Sequence, residues 1–190
     1  MPGAETFRAS ADVYDRLGAE SVSAADPSEP FVEACRARVP GAEVVVAAAE
    51  ELPFADGRFD VVLSQLVVNF MRDAETGVRE MTRVTRPGGI VASCVWDYSG
   101  GMTLLRAFWD AACEVEPERG AAEGEGAVMR WCREGELADL WRAMGLADVR
   151  FGSLEVSAAY ADFEDLWSPL LTGIAPAGAF TKSLGPERCP

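Results

Sequence analysis

Apolar positions along this chain fall into two kinds of run. Short continuous ones are Ser21 to Ala25, Val44-Val45-Val46-Ala47-Ala48, Phe59 to Gln65 and Ile90 to Trp96, each bounded by turn chemistry. Such runs suit strands covered on both faces, as in a parallel sheet. Between them lie stripes at helical spacing. Phe31, Ala34, Cys35 and Val39 predict a helix stopped by Pro40-Gly41. Ala74, Val78, Met81 and Val84 or Thr85 predict a second, opened by Asp73 and ended before Pro87-Gly88-Gly89. Leu104, Leu105, Phe108, Trp109 and Ala112 mark a third across Met102 to Val115, and Leu137, Leu140, Trp141 and Met144 a fourth, closed by Gly145. Strands alternating with helices define a wound, parallel α/β sheet.

The remaining stretches read more simply. Phe7, Ala11 and Tyr14 in residues 1–16 suit a short amphipathic arm. Residues 116–127, rich in Gly, Ala and Glu, predict a mobile acidic loop. Val149 to Val156 predicts a late strand, and Phe163, Leu166, Trp167 and Leu170 one more amphipathic segment. Residues 172–190 predict irregular chain. The whole reads as one domain, 1–190: the arm at 1–16, a core at 17–97, and helices with the late strand at 98–190.

Composition narrows the chemistry. The formal net charge of −14 argues against nucleic acid or an anionic membrane as partner. The chain has no histidine, which removes Ser-His-Asp and Cys-His arrangements and most zinc or iron sites. No metal site is expected. The five cysteines form no C-x-x-C pair and read as reduced thiols of a cytoplasmic protein. A signal peptide and a long apolar span are both lacking, in keeping with that location.

The first strand stops on a carboxylate, Asp26, followed by Pro27 and Ser28. An acid at the C-terminal tip of a strand in an open α/β sheet is where such folds hold a ribose, since one carboxylate accepts from both vicinal hydroxyls. Asp26-Pro27-Ser28-Glu29 is equally a helix start, with the acid or Ser28 as its cap. Both readings stand on the residues alone.

Three motifs in order carry a resemblance. They are Val22 to Ser28; Ala49-Glu50-Glu51-Leu52-Pro53-Phe54 with Gly57 and Phe59-Asp60-Val61-Val62; and Arg83-Val84-Thr85-Arg86-Pro87-Gly88-Gly89-Ile90. Together they resemble the class I S-adenosylmethionine-dependent methyltransferases, nearest the quinone-biosynthesis branch with small-molecule acceptors. The resemblance implies a Rossmann-like three-layer α/β/α sheet and S-adenosylmethionine as cofactor. It places Asp26 and Pro27 at the ribose, Ala49 and Glu50 against the adenine, and Gln65 under the methionine part. Pro87-Gly88-Gly89 is given a structural turn and no ligand role. No catalytic residue is assigned, because methyl transfer from a sulfonium needs mainly proximity and alignment. Asp97 and Glu50 are the nearest candidates for an optional base. Asn69, Trp96, Tyr98, Trp131 and Trp167 are candidates for an acceptor pocket, with core packing the plainer role for the tryptophans.

The family's Gly-rich first turn is absent. It belongs about 20 residues before the ribose acid, and Thr6 to Arg16 holds no glycine. The resemblance therefore implies a jump at Arg16/Leu17 that omits strand one, and a missing strand seven at the C-terminus. From a family sheet order of 3-2-1-4-5-7-6, the central strand is then lost, and a chain of marginal stability is expected. Two other activities fit parts of the pattern: a catalytically silent binding module that keeps the fold, and a nicotinamide-dependent oxidoreductase sharing the strand-tip acid.

Overall fold

The computed structural model describes residues 19–185; the arm at 1–16 and the Arg16/Leu17 junction lie outside them. The contacts fall into two compact units. The first comprises residues up to Leu63 with Met71–Ala92, and the second Ser64–Phe70 with the residues from Ser93 onward.

The first unit opens with β1 (Ser23–Asp26), α1 (Glu29–Arg38) and β2 (Glu43–Val46). β1 and β2 pair in parallel with Ser23 opposite Glu43 and Asp26 opposite Val46. The Arg36 guanidinium reaches from α1 to the Val44 carbonyl at 2.7 and 3.0 Å, which satisfies an acceptor the ladder leaves open. In α1 the buried side chain is Val32, while Phe31 is 67% exposed. Ala34, Cys35 and Val39 are half-buried as their spacing predicts, and only in the first turn does Val32 take the buried place expected of Phe31.

β3 (Phe59–Gln65) forms as the apolar run predicts. Asp73 caps α2 (Ala74–Val84) by accepting from the Thr76 N–H at 3.1 Å. Ala74, Val78, Met81 and Val84 are all buried, as their spacing dictates. The chain passes directly from α2 into β4 (Thr85–Cys94), five residues before the expected start at Ile90. β4 pairs with β3. Their order is parallel, since the Gly57 N–H donates to Arg83 O at 2.8 Å and Asp60 then pairs with Arg86 at 2.6 Å. Gly88 takes a φ of +76°, and a Cβ on Gly89 would lie 2.7 Å from Asp60 O, so both positions require glycine.

Among the described residues the strands thus form two separate pairs, β2-β1 and β3-β4. These correspond to the 3-2 and 4-5 pairs of the expected order, and no ladder joins them. The late strand expected at Val149 to Val156 is not formed. This stretch makes no ladder, and Phe151, Leu154 and Val156 stand 58%, 88% and 72% exposed. Alternation prepares a strand, but a neighbour must supply its hydrogen bonds.

The second unit is helical: α3 (Thr103–Val115), α4 (Pro117–Glu123), α5 (Glu125–Val128), α6 (Glu136–Ala143), α7 (Phe163–Trp167) and α8 (Ala175–Ser183). Its core joins Trp109 and Ala112 of α3 to Ala177 and Phe180 of α8. Two sequence expectations fail here. Residues 116–127 are not a loop, because their glycines are contact points. A Cβ on Gly120 would sit 2.7 Å from Cys113 N, and one on Gly124 3.3 Å from the Trp109 ring. Residues 175–183 are not irregular either. Gly178 lies against Leu170 O and Gly173, where a Cβ would be 3.1 Å from backbone. Small residues that read as loop composition are what let these helices approach closely. No helix among the described residues is long and apolar enough to cross a membrane.

Candidate functional site

Asp26 ends β1 and is half-buried. Its Oδ1 accepts from the Ser28 N–H at 2.7 Å, an Asx turn that stops the strand and starts α1. Ser28 holds the N-cap position of α1, where its side chain makes no capping bond. Asp26 therefore shapes the turn with one oxygen, and among the described residues Oδ2 takes no hydrogen bond. The two roles read from the sequence are compatible, since one carboxylate can hold the turn and still accept from a ligand.

The loop after β2 begins beside this carboxylate, with the Ala47 N–H donating to Asp26 O at 3.1 Å. Asp26, Pro27, Ala49 and Glu50 are thus brought to one end of the β1–β2 pair. Glu50 has a specific partner. Its Oε1 accepts from the Arg72 N–H at 2.8 Å and, more weakly, the Asp73 N–H at 3.4 Å. The carboxylate ties the loop to the start of α2.

Sequence reasoning missed the residues that hold this loop. Arg83 makes a two-point pair with Glu80 at 2.7 and 2.8 Å. It also donates to Asp56 Oδ1 at 2.6 Å, Phe54 O at 2.8 Å and Leu52 O at 2.9 Å. Glu80 accepts in turn from the Leu52 N–H at 3.0 Å. These hydrogen bonds, with Glu80 foremost, hold the Arg83 guanidinium charged well above its usual range, and the same contact lowers Glu80. The available signal was Glu80 and Arg83 three apart at the end of a helix, but such a pair is ordinarily a surface contact.

Gln65 lies in the second unit, at the exposed end of β3. The chain then turns through Leu66, at a φ of +59°, into a short 3-10 helix, Val68–Phe70. Asn69 of that helix, Ser64 of β3 and Ser93 of β4 each bury side-chain polar atoms that have no partner. Asp97 is not poised as a base. Its carboxylate accepts from Ser99 Oγ at 2.6 Å and from the Ser99, Gly100 and Gly101 N–H groups. The Ser99 hydroxyl above all, then those amides, hold its pKa below the usual carboxylate range. Trp167 stacks on Phe163 with centroids 5.5 Å apart, in the packing role. Burial, reinforced by Glu125, raises Tyr98.

The lowered groups carry a sign. Glu80 and Asp97 bind protons less tightly folded than at their ordinary values of 4.5 and 3.8. Stability they contribute is present above those values and is lost as pH falls through the folded pKa. The thermal midpoint is therefore expected to hold near neutrality and to decline below about pH 4.5. A midpoint that stays level down to about pH 3 would contradict this.

Residues 4–93 match the family model described as a methyltransferase domain. That stretch is a little under half of the chain, and over it the sequence is similar to the class I S-adenosylmethionine-dependent methyltransferases. It is 32% identical over 115 residues to a demethylmenaquinone methyltransferase of Mycolicibacterium vanbaalenii, covering 56% of this chain and 50% of that one. It is 37% identical over 98 residues to a malonyl-[acyl-carrier protein] O-methyltransferase of Pseudescherichia vulneris, covering 52% and 39%. The chain thus spans half or less of the length of these two curated relatives. Among solved structures, the YcgJ protein of Bacillus subtilis superposes with a TM-score of 0.54 at 16% identity, over 87% of this chain and 68% of that one, a likeness of fold.

Proposed function

We propose that this protein binds S-adenosylmethionine at the C-terminal end of the β1–β2 pair and methylates a small-molecule acceptor. The observation that carries the reading is Asp26, a strand-tip carboxylate with one oxygen fixed in a turn and the other open. The residues present fit the group. Asp26 would accept from the ribose hydroxyls with Pro27 closing the strand beside it. The main chain of Ala49 and Glu50 would meet the adenine edge, held in place by the Glu50 carboxylate and the Arg83 clamp. When bound, the cofactor supplies an activated methyl on a sulfonium with a neutral leaving group. The protein's task is then to align donor and acceptor and keep water out. The similarity to a demethylmenaquinone methyltransferase supports a small-molecule acceptor.

Calorimetry tests this on the 190-residue chain. S-adenosylhomocysteine is expected to give saturable heat, and Asp26→Asn to weaken it about tenfold or more, since a hydrogen bond to a charged group contributes roughly 1.5–3 kcal/mol. Asn keeps an oxygen for the Ser28 N–H, so the melting temperature should barely move. A folded protein that gives no heat would mark a silent module with the fold alone.

A further inference from the structure

Among the described residues, four buried side-chain atoms of the second unit lack a hydrogen-bond partner: Ser64 Oγ, Ser93 Oγ, and both Nδ2 and Oδ1 of Asn69. Buried polar groups in folded proteins are nearly always paired, so an orphan set in one place calls for a missing partner. The two serines are cross-strand neighbours. The Leu66 N–H donates to Cys94 O at 2.8 Å. In a parallel pair that residue faces the one after the acceptor, so Leu66 faces Val95. Two positions back on each strand, Ser64 faces Ser93, with both side chains on one face of the sheet. Asn69 follows within the turn that leaves the same end of β3. Ligands of open α/β sheets bind at that carboxyl end.

The chemistry is uncharged. From Val61 to Phe70 and from Pro87 to Trp96 no side chain bears a charge. A buried ionic group here would find no counter-charge on its own elements. Two hydroxyls and one amide instead offer several donors and several acceptors. We infer that Ser64, Asn69 and Ser93 form a neutral hydrogen-bonding subsite that takes a hydroxyl or carbonyl group of a small molecule. This deepens the proposed function, on which it rests for identifying that molecule as the methyl acceptor: the acceptor end would be a neutral oxygen group, and anionic analogues would be excluded.

The sequence supplies an unusual test. Asn69 is the chain's one asparagine and Gln65 its one glutamine. A nitrogen–proton correlation spectrum of the 190-residue protein therefore holds two side-chain amide pairs, told apart by Asn69→Ser. Titration with phenol is expected to move the Asn69 pair saturably, while benzoate, of similar size but anionic, leaves it in place. The Ser64→Ala/Ser93→Ala variant should bind phenol at least tenfold more weakly. Its melting temperature should be unchanged or higher, because it deletes orphan hydroxyls. A subsite reading is overturned if phenol leaves the Asn69 pair unmoved, if benzoate moves it equally, or if the double variant melts lower. Phenol-insensitive Asn69 protons that show transfer from long-lived water would assign the cluster to ordered water. A separate titration with S-adenosylhomocysteine keeps the two ideas distinct. Heat with that compound and no phenol response removes this inference alone, and the converse removes the cofactor reading while leaving a neutral-ligand subsite.

Discussion

Arg83→Ala is expected to lower the midpoint of chemical denaturation and to weaken S-adenosylhomocysteine binding about tenfold or more. The guanidinium joins Glu80, Asp56 and the carbonyls of Leu52 and Phe54, so its removal frees the whole segment that follows β2. The Arg83 side chain is 32% exposed, so water replaces part of what is lost. Arg83→Lys should restore little, because an ammonium cannot make a planar fork to Glu80 while reaching two carbonyls. Chemical denaturation and calorimetry on both variants decide the matter. A lysine variant equal to the native protein would show that charge alone holds the loop. Glu80→Gln combined with Arg83→Ala should cost less than the two singly, since they share one network.

Glu125→Ala is the counterpart in the helical unit. Glu125 is 3% exposed, and its carboxylate accepts from the Trp109 indole N–H and, at 3.2 Å, from the Ala177 N–H. It thus stitches α5 to α3 and caps the first turn of α8, where a negative charge suits the helix dipole. Losing it leaves two buried donors without acceptors, at roughly 1–3 kcal/mol each. A loss of about 3 kcal/mol is expected, equal to a fall of roughly 6–12 °C in melting temperature for a chain of this size. Glu125→Gln should fall between the two, because its amide offers one acceptor oxygen and sets an N–H against the second donor. A shift in tryptophan emission should accompany the change, since Trp109 reports on the contact directly. An alanine variant with a native melting temperature would refute the stitching role.

Much of the sheet region could be read from the chain because its signals are local. Asp73 caps the helix it precedes, and Ala74, Val78, Met81 and Val84 all turn inward. The run from Phe59 to Gln65 is the strand it promises to be. Asp26 sits at a strand tip because a short apolar run ends on an acid, a proline and a serine whose N–H closes a turn on that acid. The similarity to methyltransferase domains rests on the same stretch, with the match ending at residue 93.

Beyond that point composition misled wherever a neighbour settled the outcome. Gly120, Gly124 and Gly178 look like loop residues until α3, the Trp109 ring and Leu170 are placed against them. Val149 to Val156 has the alternation of a strand and no ladder to join.

The sequence by itself determined the order of strands and helices up to Val115, the Asp73 cap, and the acid at the end of β1, since each depends on interactions spanning a few residues. Tertiary structure alone decided that Val32 and not Phe31 is buried in α1, that Arg83 grips the loop after β2, that Glu125 closes the helical unit, and that Ser64, Asn69 and Ser93 bury polar atoms without a partner among the described residues. Those outcomes depend on residues far apart in the chain, and no local pattern encodes the distance between them once the chain is folded.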